Sequence, residues 1–169
     1  ACIVAIAAQK TGKPCKLVYD RDDDMRITGK RHDFISAYKV GFDANGVINA
    51  LRIQHDMRCG MSMDLSAAIA ERALMHSENS YYIPNVEFIA NLYKTNTPSN
   101  TAFRGFGGPQ GMLAMERVID EMAHFLKLDP LTIRKRYFYL DNKNPMQNEQ
   151  QTPYGQFVKD CIINDLVNK

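Results

Sequence analysis

Three glycines fall within four positions at Gly105-Phe106-Gly107-Gly108, and an apolar helical pattern begins immediately after them at Pro109. The glycines let the backbone turn sharply and approach another group closely. Pro109 suits a first helical position, where its missing N–H costs nothing. A glycine-rich turn running into a helix N-terminus can aim backbone N–H groups at an anion or a polar ligand edge. The alternative is a tight connection whose glycines solve a packing problem. Arg104, directly before the glycines, and Phe106, between them, favour a binding role, because loops carry function on a rigid scaffold. The turn is not a dinucleotide fingerprint, since Gln110 stands where the third glycine would be, and no phosphate-binding G-x-x-x-x-G-K-[ST] run occurs.

The helix after the turn has the clearest periodicity in the chain. Met112, Met115, Ile119, Met122 and Leu126 recur at spacings of three and four, predicting a helix over Pro109–Lys127 with a methionine-rich core face. Asp129 then caps a further helix, with Pro130 in its first turn and its end near Arg136. Upstream, Asn45-Gly46 separates two alternating segments, His32–Phe42 and Val47–Met57, which read as an antiparallel hairpin. Val86–Lys94 reads as another strand and Pro14–Tyr19 as a short one. Ser66 is the expected cap of a helix reaching Glu78, with Ala68, Ile69, Leu74 and Met75 inward. Asp20–Gly29 reads as a charged turn, residues 140–155 as a loose connection and Phe157–Val167 as a last helix. The fold class is α+β: a small mixed or antiparallel sheet with a β-hairpin and helices packed on one side.

Composition narrows the function classes. With 169 residues the chain can bury one real core, and its net charge of +2 gives no reason to expect nucleic acid or an anionic membrane. No apolar run approaches the roughly 20 residues of a membrane helix. The four cysteines lack C-x-x-C spacing and the histidines lack metal-ligand spacing, which fits free thiols in a reducing cytoplasm and structural histidines. Asp22-Asp23-Asp24 lacks the alternation and closing Glu of a calcium loop. Ala1–Lys10 reads as helix from the first residue and stops at Gly12, like the back half of a helix begun elsewhere. Arg72, beside Glu71 on the helix after Ser66, could offer a planar carbonyl or anion a rigid fork of donors, or lie on a solvated face. Phe106 could stack on a flat ring or simply pack. No complete catalytic set is visible.

Taken together, these segments resemble one family. Asn100–Gly111, with Lys94-Thr95-Asn96 before it, is similar to the central signature of the molybdenum-binding subunit in the xanthine dehydrogenase/aldehyde oxidase family. Glu71-Arg72-Ala73-Leu74 followed by Tyr82-Ile83-Pro84-Asn85-Val86 resembles its upstream active-site segment. Lys13–Leu17 with Arg21, Lys30-Arg31-His32, and Pro130-Leu131 to Arg136 fit in order. The resemblance implies a molybdenum hydroxylase that oxidises a purine, hypoxanthine or xanthine, with a molybdopterin cofactor. It implies that 2Fe-2S clusters and FAD lie on other domains or subunits. It implies cofactor-binding roles for Arg104, Gly105 and Phe106, ring stacking for Phe106, and binding of a purine oxygen with charge stabilisation for Arg72. An arginine at position 72 favours the xanthine dehydrogenases over the aldehyde oxidases.

The same resemblance implies that residues 1–169 are a fragment of a larger molybdopterin-binding domain. A glycine-rich loop with a substrate-binding glutamate is expected before position 1. A further domain is expected to carry the second stacking phenylalanine and the catalytic glutamate. The alternatives are an aldehyde- or N-heterocycle-oxidising relative and a non-catalytic binding module of the same ancestry.

Overall fold

The computed structural model describes residues 1–140 and 150–168. Its centre is a three-stranded mixed sheet in the order β1 (Phe34–Phe42), β2 (Ile48–Gly60), β3 (Val86–Lys94). β1 and β2 form the expected antiparallel hairpin, with Tyr38 opposite Ile53. Its turn is tied by Asp43, whose Oδ1 accepts from the N–H groups of Asn45 at 2.9 Å and Val47 at 2.8 Å. β3 joins the other edge of β2 in parallel, with Phe88 beside Ile53, and the chain crosses between them through a helix.

β2 explains which face is covered. Leu51, Ile53, His55, Met57 and Cys59 alternate along it and are all buried, whereas Arg52 and Arg58 point to the other side and are exposed. Alternation with period two puts one row of side chains into the core. Leu51 and Ile53 of that row join the core built on the long helix α4 (Gly108–Leu126), whose Met115, Val118, Ile119, Met122 and Ala123 are buried, while Met57 and Cys59 pack with Ile69 and Ala70. Numbered in chain order, the other helices are α1 (Cys2–Thr11), α2 (Arg21–Ile27), α3 (Ser66–Met75), α5 (Pro130–Tyr137) and α6 (Ile163–Val167). Asp129 caps α5 as its sequence suggests, accepting from the Thr132 N–H at 2.8 Å. Gly12 ends α1 in a left-handed conformation with φ 64°.

Several expectations are corrected. Pro14–Tyr19 forms no strand; no described segment pairs with it, and Leu17, Val18 and Tyr19 are exposed. Within the charged stretch Asp20–Gly29 lies α2: Asp20 accepts from the Asp23 N–H at 2.8 Å, and Asp22, Asp23 and Asp24 occupy the helix's positive first turn. Met112, expected inside, is 39 % exposed at the outer edge of the stripe. The last helix spans only Ile163–Val167; Phe157 instead bridges Gln151, and Cys161 donates to the Tyr139 carbonyl. Of the loose connection expected at 140–155, residues 141–149 lie outside the described residues.

Candidate functional site

The glycine turn is built against α3. A Cβ on Gly107 would fall 2.1 Å from the Ile69 carbonyl oxygen, and one on Gly111 2.3 Å from the Ala73 carbonyl oxygen. Backbone therefore meets backbone, and any side chain at either position would push the helices apart. The inward residues of α3 are small or slim for the same reason: Ser66, Ile69, Ala70 and Ala73 are buried. This corrects the expected set, because Ala68 and Met75 face outward and Leu74 is half-buried. It also corrects the cap. Leu65 precedes the helix without a side-chain bond, while the Ser66 hydroxyl is turned inward to His32 Nε2 at 2.8 Å.

The turn itself is wound tightly. Gly105, Phe106 and Gly107 all have positive φ, at 91°, 50° and 94°. The Phe106 N–H donates to the Phe103 carbonyl at 2.8 Å and the Gly108 N–H to the Gly105 carbonyl at 3.0 Å. A left-handed phenylalanine costs about 1–2 kcal/mol, so its ring must be held by something. One side of that ring packs on the small cluster of Met57, Cys59, Ile69 and Ala70, and the ring remains half-exposed.

The residues expected to act lie on these two adjoining elements. Arg72 sits in the last turn of α3, between the two residues that Gly107 touches, Ile69 and Ala73. It is exposed, and its carbonyl accepts from His76 Nδ1 at 3.0 Å. Arg104 is exposed too, and its carbonyl accepts from Arg31 Nη2 at 2.6 Å. Among the described residues, neither Arg72 nor Arg104 has an ion-pair partner, whereas Arg52, Arg58, Arg117 and Arg134 are all paired.

Around the turn lie polar atoms that the fold buries without satisfying. Arg31 Nη1, His32 Nδ1 and Gln110 Oε1 are buried with no partner among the described residues. Gln110 Nε2 donates to the His32 carbonyl at 3.1 Å, so these groups belong to one neighbourhood. Burial lowers the pKa of His32 despite the nearby Asp64 and Asp33, and burial likewise lowers that of His55, which is bonded to Ser36 and Ser77. In both rings burial favours the neutral form. The role of Arg31 and Gln110 was not legible beforehand; the signals were Lys30-Arg31-His32 for the first and the Asn100–Gly111 signature for the second, both among the family-like segments.

A buried polar atom left unpaired needs an explanation, and one explanation is a bound group. The turn offers cations, an aromatic face and unpaired donors and acceptors on a rigid backbone cradle. That chemistry fits an anionic, hydrogen-bonding heterocyclic cofactor. Among the described residues no three His, Cys, Asp or Glu side chains are grouped to hold a metal directly.

Comparison with known proteins agrees with this chemistry. Residues 1–138 match the model of the molybdopterin cofactor-binding domain. The chain is 46 % identical over 169 residues to a xanthine dehydrogenase of Dictyostelium discoideum, covering 100 % of this chain and 12 % of that protein. It is 51 % identical over 136 residues to a xanthine dehydrogenase/oxidase of Mus musculus, covering 80 % of this chain and 10 % of that protein. The chain thus spans about a tenth of the length of these relatives. The solved aldehyde oxidoreductase of Desulfovibrio gigas superposes with a TM-score of 0.82 at 28 % identity, covering 98 % of this chain and 18 % of that one. The chain belongs to the molybdopterin cofactor-binding domain family, in the xanthine dehydrogenase/aldehyde oxidase line of molybdenum enzymes.

Proposed function

We infer that this chain forms one wall of the purine-oxidising site of a xanthine dehydrogenase. The observation that carries the reading is the unpaired Arg72 on α3, packed directly beside a glycine turn that bears a second unpaired arginine and a half-exposed ring. Arg104 and the backbone at Gly105 would hold molybdopterin, and Phe106 would lie against both cofactor and substrate. When bound, the molybdenum cofactor supplies transfer of a water-derived oxygen to an electron-poor ring carbon, with a hydride leaving that carbon.

Arg72 acts on the substrate's far side in this reading. Its planar fork suits a purine carbonyl, and a fixed cation near a developing anion stabilises it without reorganising. Phe106 orients the ring by stacking, its own position fixed by Met57, Cys59, Ile69 and Ala70. The reading also places the protein in the cytoplasm, with 2Fe-2S and FAD groups elsewhere in the assembly to carry electrons away.

The test is Arg72→Ala in the protein as its gene encodes it. Hypoxanthine turnover is expected to fall on the order of 10²–10³-fold in kcat/KM, the range for loss of an oxyanion donor. An unchanged rate sinks the assignment. The likeness to an aldehyde oxidoreductase supports a second reading, oxidation of aldehydes. An aldehyde turned over faster than hypoxanthine, and untouched by Arg72→Ala, selects that one.

A further inference from the structure

Residues 29–32 run along the segment 99–110 that carries the glycine turn, and each of them contacts it. A Cβ on Gly29 would lie 2.4 Å from the Ser99 carbonyl oxygen, so the two backbones touch. The Lys30 carbonyl accepts from the Thr101 N–H at 3.0 Å. Arg31 reaches the Arg104 carbonyl at 2.6 Å, and its Cζ lies 4.4 Å from the centroid of the Phe103 ring. The His32 carbonyl accepts from Gln110 on α4, and its ring is bonded to Ser66 on α3. Behind this segment, Lys30 Nζ is anchored on α2 by the Asp24 carbonyl at 2.9 Å and its carboxylate at 3.0 Å.

The Arg31 contact falls on the one peptide whose orientation matters most. Phe103 to Phe106 is a β-turn closed by the Phe106 N–H on the Phe103 carbonyl, with Gly105 at its third position and φ 91°. That pattern is type II, which differs from type I by a flip of the central peptide, here Arg104–Gly105. In a planar trans peptide the C=O and the next N–H point opposite ways. Holding the Arg104 oxygen towards Arg31 therefore turns the Gly105 N–H away from it, and no described group takes that N–H. The same guanidinium keeps Nη1 buried and without a described partner, beside a glycine whose Cβ would lie 4.0 Å from it.

We propose that Arg31 is the positioning residue of the site: it locks the Arg104–Gly105 peptide so that the Gly105 N–H faces the cofactor. This rests on the reading that the turn binds molybdopterin. Lysine could keep the cation over Phe103 but could not also offer a planar fork to the carbonyl.

The experiment compares Arg31→Ala and Arg31→Lys with the unaltered protein as its gene encodes it. Arg31→Ala is expected to raise amide hydrogen exchange in residues 103–108 by about tenfold, with β2 and the second half of α4 unchanged. Retained molybdopterin, measured as released pterin, is expected to fall several-fold, with Arg31→Lys intermediate in both. No change in exchange at 103–108, or an equal rise throughout the chain, overturns the proposal. So does undiminished pterin in a protein whose turn exchanges faster. Should the unaltered protein hold no molybdopterin, the functional reading fails, while the exchange result still decides what Arg31 does to the turn.

Discussion

The two halves of α4 solve opposite problems with similar side chains. Along its middle, Glu116 accepts from Tyr81 at 2.6 Å, Asn79 at 2.7 Å and Arg134 at 2.6 Å, and Arg134 also reaches Asp120 at 2.8 Å. Burial, then the bonded Glu116, raises the Tyr81 pKa; burial works against the Arg134 charge, but bonds to Glu116 and Asp120 outweigh it and raise its pKa. At the N-terminal end, Arg72 and Arg104 have no carboxylate, and Arg31, His32 and Gln110 each bury an unpaired atom. The middle uses charge to fasten α5 and the segment before β3 onto α4. The N-terminal end keeps its charge uncommitted. A polar group that the fold satisfies is structural; one that the fold buries and leaves unsatisfied is held for something else.

The largest effect expected lies at the joint between the two behaviours. Gly107→Ala places a Cβ 2.1 Å from the Ile69 oxygen at a residue with φ 94°. Left-handed strain and forced separation of α3 from α4 together should cost about 4 kcal/mol in urea unfolding. A loss near zero would show that the turn is held by its ligand and not by helix packing, breaking the contrast.

Glu78 looks like an exception and sharpens the rule. It is 3 % exposed, Oε2 has no described partner, and the Tyr139 hydroxyl nearby is equally orphaned. Burial raises its pKa from an ordinary 4.5 to about 7, although a bond with Tyr154 opposes the shift. The folded state thus holds a proton that the unfolded chain releases. Its contribution to stability is fully present below pH 4.5, falls as pH rises towards 7 and levels off above it. The loss should be roughly 3 kcal/mol, and Glu78→Gln should flatten it. The Glu78 shift comes from burial in the core, whereas Arg31 is bonded to the turn through the Arg104 carbonyl. The same pH dependence in Glu78→Gln as in the unaltered protein would mean that Oε2 has a partner after all.

What could be read in advance follows range of interaction. The hairpin turn, the Asp129 cap, the β3 strand and the α4 stripe are local patterns, and each recurs in the fold close to its expected bounds. α2 was equally legible, since Asp20 precedes three acidic residues and Arg26, yet a dense charge run obscures a cap. Ser66 shows the opposite failure: its local rule assigns a cap, but a partner 34 positions away, His32, takes the hydroxyl. Pro14–Tyr19 has strand composition, but a strand needs a neighbour, and propensity does not supply one. The same limit governs the site. Arg104, Gly105 and Phe106 stand out because they sit together in sequence. Arg72 carried its role by resemblance, and Arg31 becomes visible only when its bond to a carbonyl 73 positions away is seen.

The smallest expected effects decide whether the two halves of α4 truly differ. Arg134→Ala removes the partner of a carboxylate whose side chain is 31 % exposed and should cost about 2 kcal/mol in urea unfolding, because Glu116 loses its cation and two of its hydrogen bonds. Arg72→Ala and Arg104→Ala remove exposed side chains that no described carboxylate meets. Their cost should stay within about 0.5 kcal/mol in the same measurement. Three arginines on neighbouring elements would then give one large and two negligible changes in stability, while the two negligible ones remove the charge that the proposed site requires. If Arg72→Ala or Arg104→Ala destabilised the fold as much as Arg134→Ala, their charges would be structural, and the site would have to be rebuilt from Phe106 and the turn backbone alone.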